Sequence, residues 1–268
     1  MEASSQPGRV AARIPTARAA RVPPVLMVAI AAAWAVAIAA QLTGNSGRLH
    51  HDALIEHGPA LWVALPLSLV AWQAMTAAMM LPSSLPLVRM FALASSRQPR
   101  PRAAMLAFVG GYALVWTAFG GVAFLGDVAV HRSVDASTWL RDRDWLIGPG
   151  VLALAGAFQF SSLKDACLRQ CRHPGAFMLR FYERGVKGGF RLGARHGAFC
   201  VGCCWALMLV MFAVGVANIV WMAVLTGVMV HEKTRPLGNR TVPITGATLF
   251  GIASIVFLYS AYENGVFH

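Results

Sequence analysis

The sequence has few charged residues, and it is especially poor in acids. Charged side chains make up 13% of the 268 residues, and only 11 residues are Asp or Glu, against 23 Lys or Arg. Soluble domains contain about 25% charged residues, so this composition excludes an ordinary soluble globular protein. Hydrophobic residues make up 57% of the chain, and the mean hydropathy is +0.58. The composition therefore indicates an integral membrane protein.

Motifs for nucleotide binding and for hydrolysis are also missing. The paired glycines at 110–111 and 120–121 lie inside an apolar run, without the strand-to-helix context of a phosphate loop. The sequence has no paired-carboxylate site, no Ser-His-Asp arrangement and no C-x-x-C-H haem attachment motif. Membrane topology explains most of the net charge of +12. We therefore predict no catalytic residues and no nucleic-acid partner.

The number of cysteines and the N-terminal sequence further limit the class of membrane protein. Five cysteines are an odd number, which excludes a framework in which every cysteine is paired within the chain. Residues 1–22 carry four arginines and one acid without hydrophobic periodicity, which predicts a disordered basic cytoplasmic arm. Because the first apolar run follows this long arm, we expect no cleavable secretion signal.

Residues 23–262 are predicted to form an all-α, polytopic transmembrane helix bundle of about seven segments. The predicted segments are 23–41, 58–81, 103–126, 145–162, 197–214, 217–231 and 242–260, and 263–268 form a tail. Most approach the ~20 residues that cross a bilayer. The stretch 197–231 is long for one crossing and short for two, so a hairpin turning near 215–218 and a re-entrant loop both stay open.

The distribution of Lys and Arg orients these segments. With a cytoplasmic N-terminus, 19 of the 23 basic residues lie on the cytoplasmic side, as the positive-inside rule requires. Eight of them lie in 163–196, which is predicted to be a basic, cysteine-containing cytoplasmic loop. Within it, 174–195 mixes aromatic and basic residues, which is typical of an interfacial helix or of a plain basic loop. We predict a multi-pass membrane protein whose N-terminus is cytoplasmic.

All five cysteines fall near one predicted membrane level. Cys200, Cys203 and Cys204 lie in the first two turns of the fifth segment, where their spacing places them on one helix face. Cys167 and Cys171 are four residues apart, directly after the fourth segment. Thiolate and thioether ligands favour Cu(I), and with imidazole also zinc. The predicted metal ligands are Cys167, Cys171, Cys200, Cys203, Cys204, His196, Met79, Met80 and Met208.

Proline and glycine patterns add two expectations about local structure. Pro82 and Pro86 predict a break or kink at the end of the second segment, because proline removes a backbone donor. Gly193 and Gly197 have the spacing that lets two helices approach closely, and hinge glycines would show the same spacing. The methionines of the second segment would therefore lie beside a helix break.

Two groups of charged residues lie near the predicted thiol level. Glu232 and Lys233 lie at the inner end of the sixth segment, where both a functional role and snorkelling to the interface stay open. Basic residues of the 163–196 loop would favour thiolate over thiol in neighbouring cysteines. The basic residues considered for this role are Lys164, Arg169, Arg172 and Arg195.

Three interpretations of the sulfur-rich segment remain open besides metal binding by a non-enzyme. Cysteine and methionine can be ordinary core residues. The pairs Cys200/Cys203 and Cys167/Cys171 can exchange electrons as a membrane thiol-disulfide oxidoreductase. Alternatively, the sulfur-rich face packs against a partner helix, and the chain is a structural subunit of a membrane complex.

Four separated motifs, in this order, resemble one bacterial protein family. They are W-x-x-M-x-x-A-M-M-x-P at 72–82, Q-x-x-x-L-K-x-x-C-L-x-x-C-R-x-P at 159–174, H-G-x-x-C-V-G-C-C-W-x-L-M at 196–208, and N-x-x-W-M at 218–222 with E-K at 232–233. The family is that of predicted metal-binding integral membrane proteins, sometimes described as copper chaperones. The resemblance covers about 25–260 and departs at Ala217, where the family is expected to carry Met. It implies metal binding and a location in the bacterial inner membrane. We also expect a protein partner, either in metal transfer or in a membrane complex.

Overall fold

The computed structural model describes residues 23–44, 59–214 and 218–265. Within these ranges the chain forms helices and no strand, which confirms the predicted all-α class. Its main helices are α1 (Pro24–Leu42), α2 (Leu61–Met79), α3 (Leu81–Ser95), α4 (Pro101–Ala136), α5 (Ile147–Gln159), α6 (Ser162–Arg172), α7 (Pro174–Phe181), α8 (Gly185–Val214), α9 (Ile219–Thr234) and α10 (Gly238–Glu263). The predicted arm 1–22, residues 215–217 of the predicted hairpin turn and the last three residues of the tail lie outside the described residues.

Five of these helices are long and apolar enough to cross a membrane. They are α1, α2, α4, the part of α8 up to Met211, and α10. The segment Asp144–Gln159 meets the same criteria only together with α6, which is bent from it by 65°. The helix at the sixth predicted segment, α9, has 16 residues. The described residues thus hold five or six membrane-length segments, and the count of seven and the orientation stay predictions.

The region 163–196 is more helical than the sequence suggested. We predicted a basic loop, but α6, α7 and the first twelve residues of α8 occupy most of it. Proline and glycine explain the difference, since they set the helix ends independently of hydropathy. Pro174 begins α7, where its missing N–H costs no hydrogen bond. Gly185 begins α8 with a φ of +86°, a conformation that favours glycine.

The most extensive contact between two helices in the described residues joins α8 to α4. A side-chain carbon added to Gly193 would overlap the backbone of Phe108 on α4, and one added to Gly197 would lie 3.1 Å from the Val115 side chain. Of the two interpretations of Gly193 and Gly197, the structure supports close helix packing rather than a hinge, since both lie inside the unbroken helix α8. Because glycine has no side chain, the backbones of the two helices can come close together.

The break between α2 and α3 lies at Met80. Pro82 has no N–H, so it cannot donate to the backbone carbonyl of Ala78. The indole nitrogen of Trp34 donates to that carbonyl at 3.1 Å instead, and the Ser83 hydroxyl donates to the Met80 carbonyl at 2.8 Å. The break predicted from the prolines is confirmed, and side chains satisfy the backbone carbonyls around it.

The junction between α5 and α6 bends the chain by 65°. Ser161 caps α6, because its side chain accepts a hydrogen bond from the Lys164 backbone nitrogen at 3.1 Å. A helix that continued straight from α5 into α6 would carry Gln159 on the same face as Cys167 and Cys171. The bend excludes this arrangement. The two cysteines nevertheless stay four residues apart on α6, which packs against α8.

Candidate metal site

Four thiols and one thioether meet where α8 contacts α6 and the break between α2 and α3. Cys203 Sγ lies 3.4 Å from Cys204 Sγ and 3.8 Å from Cys171 Sγ. Cys204 is in hydrogen-bond contact with Cys200, and Cys200 Sγ lies 4.0 Å from Met80 Sδ. All five cysteines of the chain are free thiols. We call Met80, Cys171, Cys200, Cys203 and Cys204 the sulfur cluster.

The sulfur cluster runs from a partly exposed end to a fully buried one. Cys171 is partly exposed, whereas Cys200, Cys203 and Met80 are inaccessible to solvent and Cys204 is nearly so. Two sulfur ligands of one tetrahedral metal ion, each about 2.3 Å from it, lie about 3.8 Å apart. The Cys171–Cys203 separation of 3.8 Å equals that value, and the Cys203–Cys204 separation of 3.4 Å is slightly smaller. Adjacent thiols are therefore close enough to share an ion.

The sulfurs form a row of neighbouring pairs rather than a closed cage. In the part of the chain that the structure describes, no three His, Cys, Asp or Glu side chains converge as they would around one ion. The inner end of the row is completed by a thioether, Met80, which is a soft ligand of the kind that selects Cu(I). The donor set of four thiols and one thioether thus fits a soft ion and offers nothing to a hard one.

Three of the predicted ligands lie around the sulfur cluster. Cys167 packs directly on α8, since a side-chain carbon on Gly202 would lie 2.5 Å from Cys167 Sγ. Met79 and Met208 are fully buried in the same hydrophobic core as the cluster. The sequence spacing did not distinguish Met79 from Met80, and in the structure Met80 is the methionine whose sulfur approaches Cys200.

His196 belongs to a chain of hydrogen bonds that ends at the cluster. Its Nε2 lies 3.1 Å from the Ser84 hydroxyl, which lies 3.5 Å from the Tyr112 hydroxyl, which in turn lies 3.2 Å from Cys200 Sγ. The imidazole also stacks on the Tyr112 ring, with centroids 5.5 Å apart. His196 therefore reaches Cys200 through two hydroxyls. Neither Ser84 nor Tyr112 was predicted from the sequence, where the signal for each is a polar side chain within an apolar segment.

Lys233 supplies the cation that contacts the sulfur cluster. Its Nζ lies 3.1 Å from Cys200 Sγ, 3.1 Å from Ser83 Oγ and 3.9 Å from Met80 Sδ. The side chain is 5% exposed, which excludes the snorkelling interpretation. A neighbouring ammonium favours thiolate over thiol, so this contact favours an anionic Cys200.

Three of the four basic residues considered for that purpose have other partners. Lys164 Nζ lies 2.8 Å from Glu232 Oε2, and both side chains are buried. Arg172 donates to two backbone carbonyls in the connection between α9 and α10, at 2.9 and 3.2 Å. The guanidinium of Arg195 lies 4.9 Å from the ring centre of Phe181. The sequence therefore predicted the right kind of charge near the thiols but not the residue that carries it.

The described residues thus form a helical bundle with five or six membrane-length segments and a buried row of thiols whose chemistry suits a soft metal ion. The PpoB2 family model, described as copper chaperone, matches residues 69–256. The chain belongs to this family, and the resemblance found in its motifs is confirmed. The matched range includes the whole sulfur cluster and Lys233, and the family supports copper handling in general. No curated protein and no solved structure matches the chain.

Proposed function

We propose that this chain is a multi-pass protein of the bacterial inner membrane that binds Cu(I) on the sulfur cluster and passes it to a protein partner. The observation that carries the proposal is the 3.8 Å approach of Cys171 to Cys203. This contact joins the cysteine pair of α6 to the cysteines of α8, so that thiols from both helices form one continuous row. Ordinary core packing does not require the thiols of two helices to lie side by side in this way.

The row of sulfurs also offers a path for metal transfer. Copper passes between thiolates by exchange of one ligand at a time, which requires successive sulfurs within reach of the same ion. Cys171 is the partly exposed member of the cluster and would contact the partner. Cys203, Cys204 and Cys200 follow in order of contact, and Met80 lies at the inner end. Cys167, His196, Met79 and Met208 would shape and support this path.

The experiment is a measurement of copper retained by the protein purified in detergent, without oxygen, after growth with copper. We expect equimolar copper in the wild type and its loss in Cys203→Ser and Cys204→Ser, because soft ions need thiolate ligands. Met80→Leu should weaken retention, whereas Met222→Leu, which alters a buried methionine outside the cluster, should not. A wild-type protein that is free of metal after such growth would contradict the proposal.

A second candidate function rests on the same contact between α6 and α8. Free thiols 3.8 Å apart require a small movement to reach the ~2.05 Å of a disulfide bond. The chain would then be a thiol-disulfide oxidoreductase in which Cys171 and Cys203 pair. A mixed disulfide with a partner, trapped in Cys203→Ser, would support this function. Five free thiols by mass spectrometry under oxidising and reducing conditions alike would exclude it.

A further inference from the structure

Lys233 holds a positive charge at the inner end of the sulfur cluster. Its ammonium is in contact with a thiol from α8, a thioether from the break between α2 and α3, and one hydroxyl from α3. A metal ion bound by Cys200 and Met80 would therefore lie next to the Lys233 ammonium. Any ion that binds there meets a fixed cation a few ångströms away.

No carboxylate among the described residues balances the charge of Lys233. Glu232, the adjacent residue, is paired with Lys164 at 2.8 Å. Among the described residues, no carboxylate lies within 4 Å of the Lys233 ammonium. When a metal ion is bound, its thiolate ligands would supply the negative charge nearest to Lys233, and the Cys200 sulfur is the one in contact with it.

The charge of the loaded site then depends on the charge of the metal ion. Two thiolates and one monovalent ion carry a net charge of −1, which Lys233 neutralises. Two thiolates and one divalent ion are neutral, so Lys233 would remain as an uncompensated buried charge. Buried charges without compensation are strongly unfavourable. We propose that Lys233 is the residue that makes the site selective for monovalent over divalent soft ions, an inference that rests on the proposed metal-binding function.

The size of the effect follows from Coulomb's law. One additional unit charge about 4 Å from an ammonium changes an affinity by about a thousandfold at an effective dielectric constant of about 20. Relaxation of the side chain reduces this value, so we expect about a hundredfold. Both kinds of ion need the same thiolates, so any effect of Lys233 on thiolate formation cancels in the ratio of the two affinities.

The test compares Ag(I) with Cd(II), two soft ions that differ in charge, on the full-length protein in detergent. We expect the wild type to prefer Ag(I), and Lys233→Met and Lys233→Gln to lower the ratio of Ag(I) to Cd(II) affinity by about a hundredfold. Lys233→Arg keeps the charge and should restore the ratio. The control variant Lys187→Met removes an exposed lysine of α8 that lies thirteen residues before Cys200, and it should leave the ratio unchanged.

The outcomes separate this inference from the function on which it rests. Circular dichroism and size-exclusion profiles identify the variants that fold, and only those are compared. An unchanged ratio in a folded Lys233→Met or Lys233→Gln protein overturns the inference while the metal site stands. Binding of neither ion by the wild type overturns the proposed function itself.

Discussion

Lys164 and Glu232 form an ion pair that is closed to solvent. The Nζ to Oε2 distance is 2.8 Å, and the two side chains are 0% and 1% exposed. Taking both charges out of water is costly, and only their mutual attraction compensates for it. The pair joins α6, which carries Cys171, to α9, which carries Lys233. Two of the groups around the sulfur cluster thus depend on one charge pair.

We predict that Glu232→Gln destabilises the fold by about 3–5 kcal/mol, because it leaves the Lys164 ammonium buried without its partner. The double variant Lys164→Met/Glu232→Leu should recover most of this loss, since replacing both members of a buried pair by apolar residues is often neutral. Thermal unfolding midpoints in a mild detergent measure both effects. A Glu232→Gln protein as stable as the wild type would show that the ion pair does not stabilise the fold.

At the scale of single residues, the sequence predicted only the relative positions that the geometry of one helix determines. The spacing of Cys200, Cys203 and Cys204 places them on one face of any helix, and the structure brings the three together. The partners Tyr112 and Lys233 come from α4 and α9. Only the packing of distant segments brings such residues to Cys200, and no spacing in one sequence encodes it.

At the scale of elements, the contact between α4 and α8 depends on glycine. Gly193 lies where the backbone of α4 passes so close that a side-chain carbon would overlap the Phe108 backbone. The same helix carries the three cysteines two to three turns later. The contact therefore fixes the position of α8, and with it the position of the thiols relative to α6 and Met80.

We predict that Gly193→Ala destabilises the protein by about 1–3 kcal/mol, because overpacking forces the two backbones apart. Gly110→Ala is the matched control, since a side-chain carbon at Gly110 on α4 meets no atom within 4 Å. That variant should be neutral or more stable by up to about 1 kcal/mol, because alanine favours the helix. Thermal unfolding in the same detergent compares the two. Equal stability of both variants would contradict the close packing of α4 and α8.

Helix ends were the weakest part of the sequence prediction at this scale. Hydropathy located the bounds of α1, α2, α4 and α10 within a few residues, except that α4 ends ten residues later than predicted, at Ala136. It missed the bend before Ser161 and the start of α8 at Gly185, because a serine cap and a left-handed glycine decide those ends. A hydropathy profile does not detect the polar turns by which a helix continues beyond its apolar run.

At the scale of the whole molecule, the sulfur cluster lies where several helices meet near their ends. Cys200 to Cys204 begin the more apolar part of α8, Met80 follows the end of α2, and Cys171 lies in the last turn of α6. The predicted orientation puts all of these positions at the cytoplasmic boundary, because the basic residues cluster in the same connections. A cytoplasmic partner could then reach Cys171 without entering the bilayer.

We predict that Cys171 is labelled from the cytoplasmic side alone. A membrane-impermeant maleimide should modify it in inside-out vesicles and not in intact spheroplasts, because the positive-inside rule places the connections around α6 in the cytoplasm.

Introduced cysteines serve as side markers in a Cys171→Ser background, whose other thiols are buried. Ser96→Cys, at the end of α3, should react like Cys171. Thr138→Cys, after α4, should react in spheroplasts, since both positions are exposed. Labelling of Cys171 from the same side as Thr138→Cys would overturn the orientation, and with it the approach of a cytoplasmic partner to the cluster.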